Sequence, residues 1–526
     1  FLHQVFEISR GGRGDTALFV PDENYILDYK GRCSILAYGT TKERGQMFDQ
    51  YCIGNYGIEG KEGTYKDAED GELAGNAVEH GGVDSVVRFA FMLEANSSEL
   101  VDYWLVAAAS QYQCESVHHI YKNKGIDHIE ESARQWWHNW LSAGANKLHT
   151  LEPNLVNEVK KSLMVIKAHC DKRGGILASG DSSIFNYGRD YYCYCWPRDG
   201  AYAIWPLIRL GYTDEPKKFF EFCRDTLSRD GYLMHKYQPD RAIGSTWHPL
   251  VHNNRKELAI QEDETASVIN MLGEYLKHTG DEEFVQSLYN TLVQPTANFM
   301  ASFIDEETSL PHASYDLWEE KFLSHTYTAA TVIGALNTAA DLATKFNYPD
   351  DEIKWRQAAE RIQQGFELYF DNERGTYRKG ILLLEDQNIQ FDNTIDISSL
   401  YGVVMFTNER LESEKIHRSL EAIERNISGL SQLGGVVRYE NDWYMRTTEQ
   451  LPPNPWFVTS LWLAQIYVAL GQKEKAEGLL EWSLKYMLNS GVMSEQVHPE
   501  SGAPVGVAPL VWSHAELINT AIDFIK

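Results

Sequence analysis

The stretch ASYDLWEEKF, residues 313–322, sets Glu319 and Glu320 side by side after Trp318, with Tyr315 and Asp316 just upstream. Neighbouring residues on a strand or helix point in different directions, so the two carboxylates are expected to do different jobs, one chemistry and the other holding a ligand. A third carboxylate, Glu495, lies far along the chain in MSEQV. Two carboxyl groups on opposite walls of one pocket are the minimum for hydrolysing a glycosidic bond: one gives a proton to the leaving oxygen and the other activates a water. Trp318 and the adjacent charge of Glu320 give Glu319 two reasons for a raised pKa, which suits the donor. Glu495 is the candidate base.

Such residues need elements to bring them together. From about residue 153 onward the apolar pattern predicts roughly twelve helical segments whose character alternates. AYAIWPLIRLG, TYTAATVIGALNTAA and NPWFVTSLWLAQIYVAL are apolar on nearly every side, whereas DEPKKFFEFCRDTLSRD, DEIKWRQAAERIQQGF and KEKAEGLLEWSLKYM carry one apolar stripe against charge. A helix apolar all round is buried and a striped one is peripheral, so the alternation specifies an (α/α)6 barrel, an inner ring wrapped by an outer one. Long aromatic and polar loops lead into the inner helices, among them SSIFNYGRDYYCYCWPRDG, HASYDLWEEKFLSH, GGVVRYENDWYMRTTEQLPPNPW and GVMSEQVHPESGAPVGVAPLVWSH. In a barrel these loops open on one end. They are expected to form one pocket from Tyr192, Trp196, Arg198, Asp199, Trp247, Trp318, Glu319, Glu320, Arg438, Tyr439, Trp456, Glu495 and Trp512. Rings offering apolar faces beside Asp and Arg suit a polyhydroxylated ligand.

Residues 1–125 alternate in steps of two between Gly- and Asp-rich turns, as in DSVVRFAFMLE, which predicts an antiparallel β-sandwich. Residues 126–150 change to a helical period and read as a linker, leaving 151–526 as the barrel domain. A net charge of −27 repels phosphate backbones and anionic lipids, which argues against nucleic-acid or membrane partners and favours a neutral substrate. The 7 cysteines form an odd set without CxxC spacing, so free thiols and a cytoplasmic location are expected. The chain opens on Phe1 in a strand-like run, which suggests a processed or truncated start. His235, His248, His252 and His514 lack dense ligand spacing, and no metal or other cofactor is expected.

With these residues in hand, the chain resembles the glucoamylase family of glycoside hydrolases, glycoside hydrolase family 15, in its archaeal and bacterial form with a β-sandwich ahead of an (α/α)6 barrel. YCYCWPRDG resembles the family's Y-x-x-x-W-x-R-D motif, implying Tyr192 near the developing cation and Arg198 and Asp199 on glucose hydroxyls. YDLWEE resembles the motif that bears the acid, implying Glu319 as general acid and Glu320 as a substrate-binding carboxylate. VVRY and NPWF imply that Arg438, Tyr439 and Trp456 line sugar subsites. SEQ followed by PLVWSHAE implies Glu495 as general base, with Ser513 as its supporting partner. The resemblance implies an inverting exo-acting glucoamylase that frees β-glucose from non-reducing ends of α-1,4-glucans. Trehalase or glucodextranase action is the alternative on the same scaffold, and a non-catalytic carbohydrate-binding protein is a more distant one.

Overall fold

A computed structural model describes residues 1–6, 8, 14–181, 191–252 and 254–525, with the side chains of 145 and 146 excepted. Part of the loop SSIFNYGRDYYCYCWPRDG, residues 182–190, therefore lies outside the described residues. The chain divides into two compact units, Phe1–Trp140 and Leu141–Lys526.

In the first unit the strands are β1 (Leu2–Gln4), β2 (Asp15–Val20), β3 (Tyr25–Lys30), β4 (Cys33–Thr41), β5 (Gln50–Asn55), β6 (Val78–Gly81), β7 (Val83–Arg88) and β8 (Val101–Ala108). They form two antiparallel sheets, β6-β2-β3-β4-β8 and β1-β7-β5. Alternation along the strands feeds two cores. Ala17, Ile26, Ile53, Val83 and Val87 pack together with Phe48, while Tyr25, Leu27, Leu36, Tyr38 and Val106 turn to the other face. That second face is covered by a helix, α1 (Gln111–Lys124), through Cys114. Within residues 1–125, expected as a sandwich, the strands end at Ala108 and α1 completes the segment. The helix escaped the pattern because its fully buried face consists of Cys114 and His118 instead of aliphatic residues. Its start is marked by Ser110, whose side chain accepts from the Gln113 N–H at 3.3 Å. The following helix, α2 (Ile126–Leu148), carries the chain across the division between the units.

The second unit holds α3 (Pro153–His169), α4 (Pro197–Leu210), α5 (Asp214–Thr226), α6 (Glu262–Thr279), α7 (Glu282–Ser287), α8 (Gln294–Ser302), α9 (Thr326–Phe346), α10 (Pro349–Gly365), α11 (Ile397–Phe406), α12 (Glu414–Asn426), α13 (Phe457–Ala469), α14 (Lys473–Tyr486) and α15 (Val511–Asp523). The apolar helices pack in a closed ring: α4 on α6, α6 on α9, α9 on α11, α11 on α13, α13 on α15, and α15 back on α4. Every residue of α4 is buried. The striped helices pack on the outside of the ring, α3 on α15, α5 on α4, α10 on α9, α12 on α11 and α14 on α13. In α12 the buried positions Ile416, Ser419, Leu420 and Ile423 repeat at helical spacing with charges between them. α7 and α8 are separated by a wider helical turn at Tyr289–Val293. No helix among the described residues is long and apolar enough to cross a membrane.

An aromatic plug fills the centre of the ring. Trp462 stacks on Tyr401 with centroids 4.2 Å apart, and Tyr202 stacks on Trp512 at 5.0 Å. Glu516 accepts hydrogen bonds from Nε1 of Trp462 at 3.1 Å and of Trp512 at 2.9 Å. These two buried indole N–H groups thus share one acceptor, and the ring is closed below the mouth that the long loops surround.

Candidate active site

The loops preceding the inner helices enclose a cavity of about 420 Å³. One wall is the turn that carries the paired glutamates. Asp316 organises it: its Oδ1 accepts from the N–H groups of Glu320 at 2.7 Å and Lys321 at 3.0 Å, and its C=O accepts from the Glu319 N–H at 2.8 Å. Burial alone would raise the Asp316 pKa, but Lys379 Nζ at 3.0 Å and the backbone donors hold it well below the ordinary value. Lys379 also lies 3.4 Å from Asp396 Oδ2, which accepts from Trp318 Nε1 at 2.9 Å. The turn is pinned at both ends by buried charge. Within it Glu319 takes a left-handed conformation, φ 65°, a costly choice for a side chain with a Cβ. That twist drives the two carboxylates apart.

Glu319 points into the cavity, where its Oε1 accepts from Trp196 Nε1 at 2.7 Å and lies 3.0 Å from His235 Nε2. Burial favours its neutral form, but His235, Arg198 and Lys236 outweigh burial and hold its pKa below the ordinary value. The raised pKa expected from Trp318 and Glu320 is thereby corrected: the tryptophan that touches the carboxylate is Trp196, which donates to it, and Glu320 is turned elsewhere. Glu320 accepts from Arg438 at 2.8 Å and from the Tyr439 hydroxyl. Arg438, 2% exposed, is held as a fork by both oxygens of Asp442 at 2.7 Å and stands over the Trp456 ring, 4.6 Å from its centroid.

The facing wall is the segment before α15. Glu495 is 3% exposed and accepts from the Tyr192 hydroxyl at 2.8 Å and from Gln496 Nε2 at 3.1 Å. Burial pushes its pKa up to about 7, and the two donors only partly oppose it. Tyr192 is itself tied to the Tyr444 hydroxyl at 2.8 Å. A glycine makes room for the carboxylate: a Cβ on Gly506, whose φ is +76°, would come within 2.4 Å of Glu495 Oε2. The floor bears Arg198, which donates to Gln261 at 2.6 Å and Asp263 at 2.9 Å and lies over the Trp512 ring. Beside it, burial lifts the Asp199 pKa to about 7, against the pull of Arg198.

Short backbone bridges between Cys195 and Tyr237, Asp396 and Tyr439, Val436 and Trp456, and Trp456 and Gln496 lace these loops together. The arrangement supplies a buried carboxylate, Glu495, and a part-buried one, Glu319, on different walls, with hydrogen-bonding groups on the floor and aromatic faces between them. That inventory matches what cleavage of a glycosidic bond requires.

The sequence profile of glycosyl hydrolases family 15 matches residues 155–484 and 471–522. The chain belongs to this family. Over 98% of this family 15 hydrolase, an uncharacterized glycosyl hydrolase of Methanocaldococcus jannaschii is 26% identical, with 79% of that protein covered. Trehalase 2 of Sulfolobus acidocaldarius is 24% identical over 70% of the chain, which spans 63% of that protein. A bacterial glucoamylase solved with acarbose superposes on 99% of the chain and 76% of its own length with a TM-score of 0.77 at 17% identity, a likeness of fold.

In this family 15 hydrolase the cavity gathers Tyr192, Trp196, Arg198, Asp199, Trp247, Trp318, Glu319, Glu320, Arg438, Trp456, Glu495 and Trp512. Two residues proposed from the sequence stand differently. Tyr439 does not line the cavity and acts behind Glu320. Ser513 is fully buried and donates to the Ser494 C=O at 2.9 Å, so it braces the backbone beside Glu495 and does not touch its carboxylate. Four residues of the site escaped sequence reading: Lys236 and Tyr444 line the cavity, Asp442 holds Arg438, and His235 stands behind Glu319. Asp442 and Tyr444 lie in YENDWYM, a few residues after Arg438 and Tyr439, and that proximity is the signal the sequence carries. The histidines, spread out in sequence, converge on folding: ligand atoms of His235, His248 and Glu319 lie within 4.8 Å of one another.

Proposed function

We propose that the chain is an inverting, exo-acting glucosidase of the glucoamylase type, removing glucose from non-reducing ends of maltooligosaccharides, with the double ring acting as an (α/α)6 catalytic barrel over residues 151–526 and the β-rich residues 1–125 as a separate sandwich domain. The observation that carries the reading is the placement of Glu319 and Glu495 on different walls of one cavity. At about 420 Å³ the cavity sits toward the small end of ligand pockets, which suits one or two sugar rings in preference to a threaded chain. Arg198, Asp199 and the Glu320–Arg438 pair offer donors and acceptors to the hydroxyls of the terminal sugar.

In the reaction, protonated Glu319 gives its proton to the glycosidic oxygen as the C1–O bond breaks. Glu495, as carboxylate, takes a proton from a water whose oxygen bonds to C1 from the opposite face, and the sugar leaves with inverted configuration. A base whose pKa lies near 7 is a strong one that still ionises at neutral pH. The surroundings of Glu319 in the free protein favour its carboxylate, so the proton it donates has to be supplied to it.

A second reading, trehalose as substrate, draws support from the trehalase name of a relative that matches 70% of the chain. Purified protein offered maltose, maltotriose, trehalose and isomaltotriose separates the two. Consumption of maltose and maltotriose is expected, and consumption of trehalose alone overturns the glucoamylase reading in favour of the second.

A further inference from the structure

Behind Glu319 stands a stack of rings that the reaction above leaves unused. His235, 1% exposed, places Nε2 3.0 Å from Glu319 Oε1 and Nδ1 3.3 Å from Thr246 Oγ1. Its ring stacks on His248 with centroids 4.3 Å apart, and His248 stacks on Tyr315 at 3.9 Å. Trp247 stands edge-on against His235 at 4.9 Å. These contacts hold the imidazole in place, with Nε2 within ion-pair range of the carboxylate. His248 has no hydrogen-bond partner on either ring nitrogen among the described residues, and burial, then His235, drive its pKa down to about 3, so it stays neutral. A metal ion fits this stack poorly. The rings of His235 and His248 lie within 23° of parallel, so their in-plane lone pairs run side by side where a metal needs them to converge.

We propose that His235 and Glu319 hold one proton between them, which rests on His235 Nε2 in the free protein and passes to Glu319 Oε1 when the glycosidic oxygen arrives, making His235 the positioning residue that keeps the acid loaded. The proposal rests on the reading of Glu319 as general acid. The charges facing the pair agree with it. Arg198 from α4 and Lys236 beside His235 favour the Glu319 carboxylate while the site is open, and Asp199 from α4 opposes it. Asp316 adds negative charge near the stack, and His248 stays neutral. The proton balance closes. The Nε2–H bond breaks as the Oε1–H bond forms, Glu319 then delivers the proton to the leaving sugar, and the pair takes a fresh proton from solvent as Glu495 releases the one it gained from water.

The last proton to leave a coupled pair belongs to the pair and not to either member. With His235 present, the acid stays loaded to higher pH than a lone carboxyl would allow, whose ordinary pKa is ~4.3. The test is the pH profile of kcat/KM for the wild type, His235→Gln and His235→Asn, with thermal unfolding to check that each variant folds. The optimum of both variants is expected to move to lower pH by roughly one unit, with activity retained on the acid side. An unmoved optimum with a uniformly lower rate overturns the proposal and leaves His235 a packing role. A wild-type optimum below about 6 overturns it without any variant, because a lone carboxyl then suffices. Glu319→Gln run in parallel separates the two ideas: full activity there rejects Glu319 as acid, whereas an inactive Glu319→Gln beside an unmoved His235→Gln profile rejects only the shared proton.

Discussion

Removing the Tyr192 hydroxyl tests how the base is tuned. Tyr192 donates to Glu495 Oε1 at 2.8 Å, one of two side-chain donors that counter the burial lifting this carboxyl to about 7. A hydrogen bond to a charged acceptor contributes about 1.5–3 kcal/mol, equal to roughly 1–2 pKa units at 1.36 kcal/mol each. In Tyr192→Phe the bond to the ionised form is gone, so the Glu495 pKa rises further and the base ionises only at higher pH. About one unit below the wild-type value the ionised fraction, near one tenth in the wild type, falls by a further ~10–100-fold, and kcat/KM falls with it. The deficit shrinks as pH rises. Initial rates of glucose release, measured across the pH range on the disaccharide the protein cleaves fastest, read this directly. An equal loss at every pH, or a limb that moves to lower pH, rules out tuning of Glu495 by this hydroxyl and restricts Tyr192 to contacts with the sugar. The shift is opposite in sign to that of His235→Gln, so the two variants together separate base from acid.

Other perturbations follow from the same geometry. Glu495→Gln is expected to abolish turnover while leaving the melting temperature and glucose binding near wild type, checked by calorimetry; full activity would remove Glu495 from the chemistry. Gly506→Ala, whose Cβ would press on Glu495 Oε2 at 2.4 Å, should lower kcat more than it lowers Tm, and an unchanged kcat would mean that the carboxylate tolerates displacement. Arg438→Ala strands the buried Asp442, at a stability cost of about 3–5 kcal/mol in denaturant unfolding. Asp28, in the first unit, is raised to about 7 by burial, then by Asp15 and Asp84. A raised carboxyl binds its proton more tightly folded than unfolded, so stability falls as pH rises from the ordinary carboxylate value through about 7. Asp28→Asn should therefore melt higher than wild type above pH 7, with the gain vanishing in acid.

The barrel's order was legible because burial writes itself into helices: AYAIWPLIRLG has no polar face to show to water, and α4 is buried throughout. The divergence of Glu319 and Glu320 was also legible, since adjacent side chains cannot share a direction, although the left-handed φ that enforces it was not. Side-chain electrostatics were out of reach. The charge of Glu319 is decided by His235, which lies in a segment without periodicity and meets the carboxylate only through the fold. The same holds for Lys379, which fixes the Asp316 turn from a separate loop. Ser513 stands one step farther from the chemistry than its sequence neighbourhood implies, because nearness to an inner helix does not say which way a hydroxyl points. The helix over Gln111–Lys124 stayed hidden because cysteine and histidine carry its buried face.

If Glu319 and Glu495 act from opposite faces of the cleaved anomeric carbon, hydrolysis inverts it. Proton NMR of the glucose formed at that carbon, recorded before mutarotation, tests it most directly. β-Glucose is expected from the α-linked substrate; α-glucose as the first product rules out inversion by this pair.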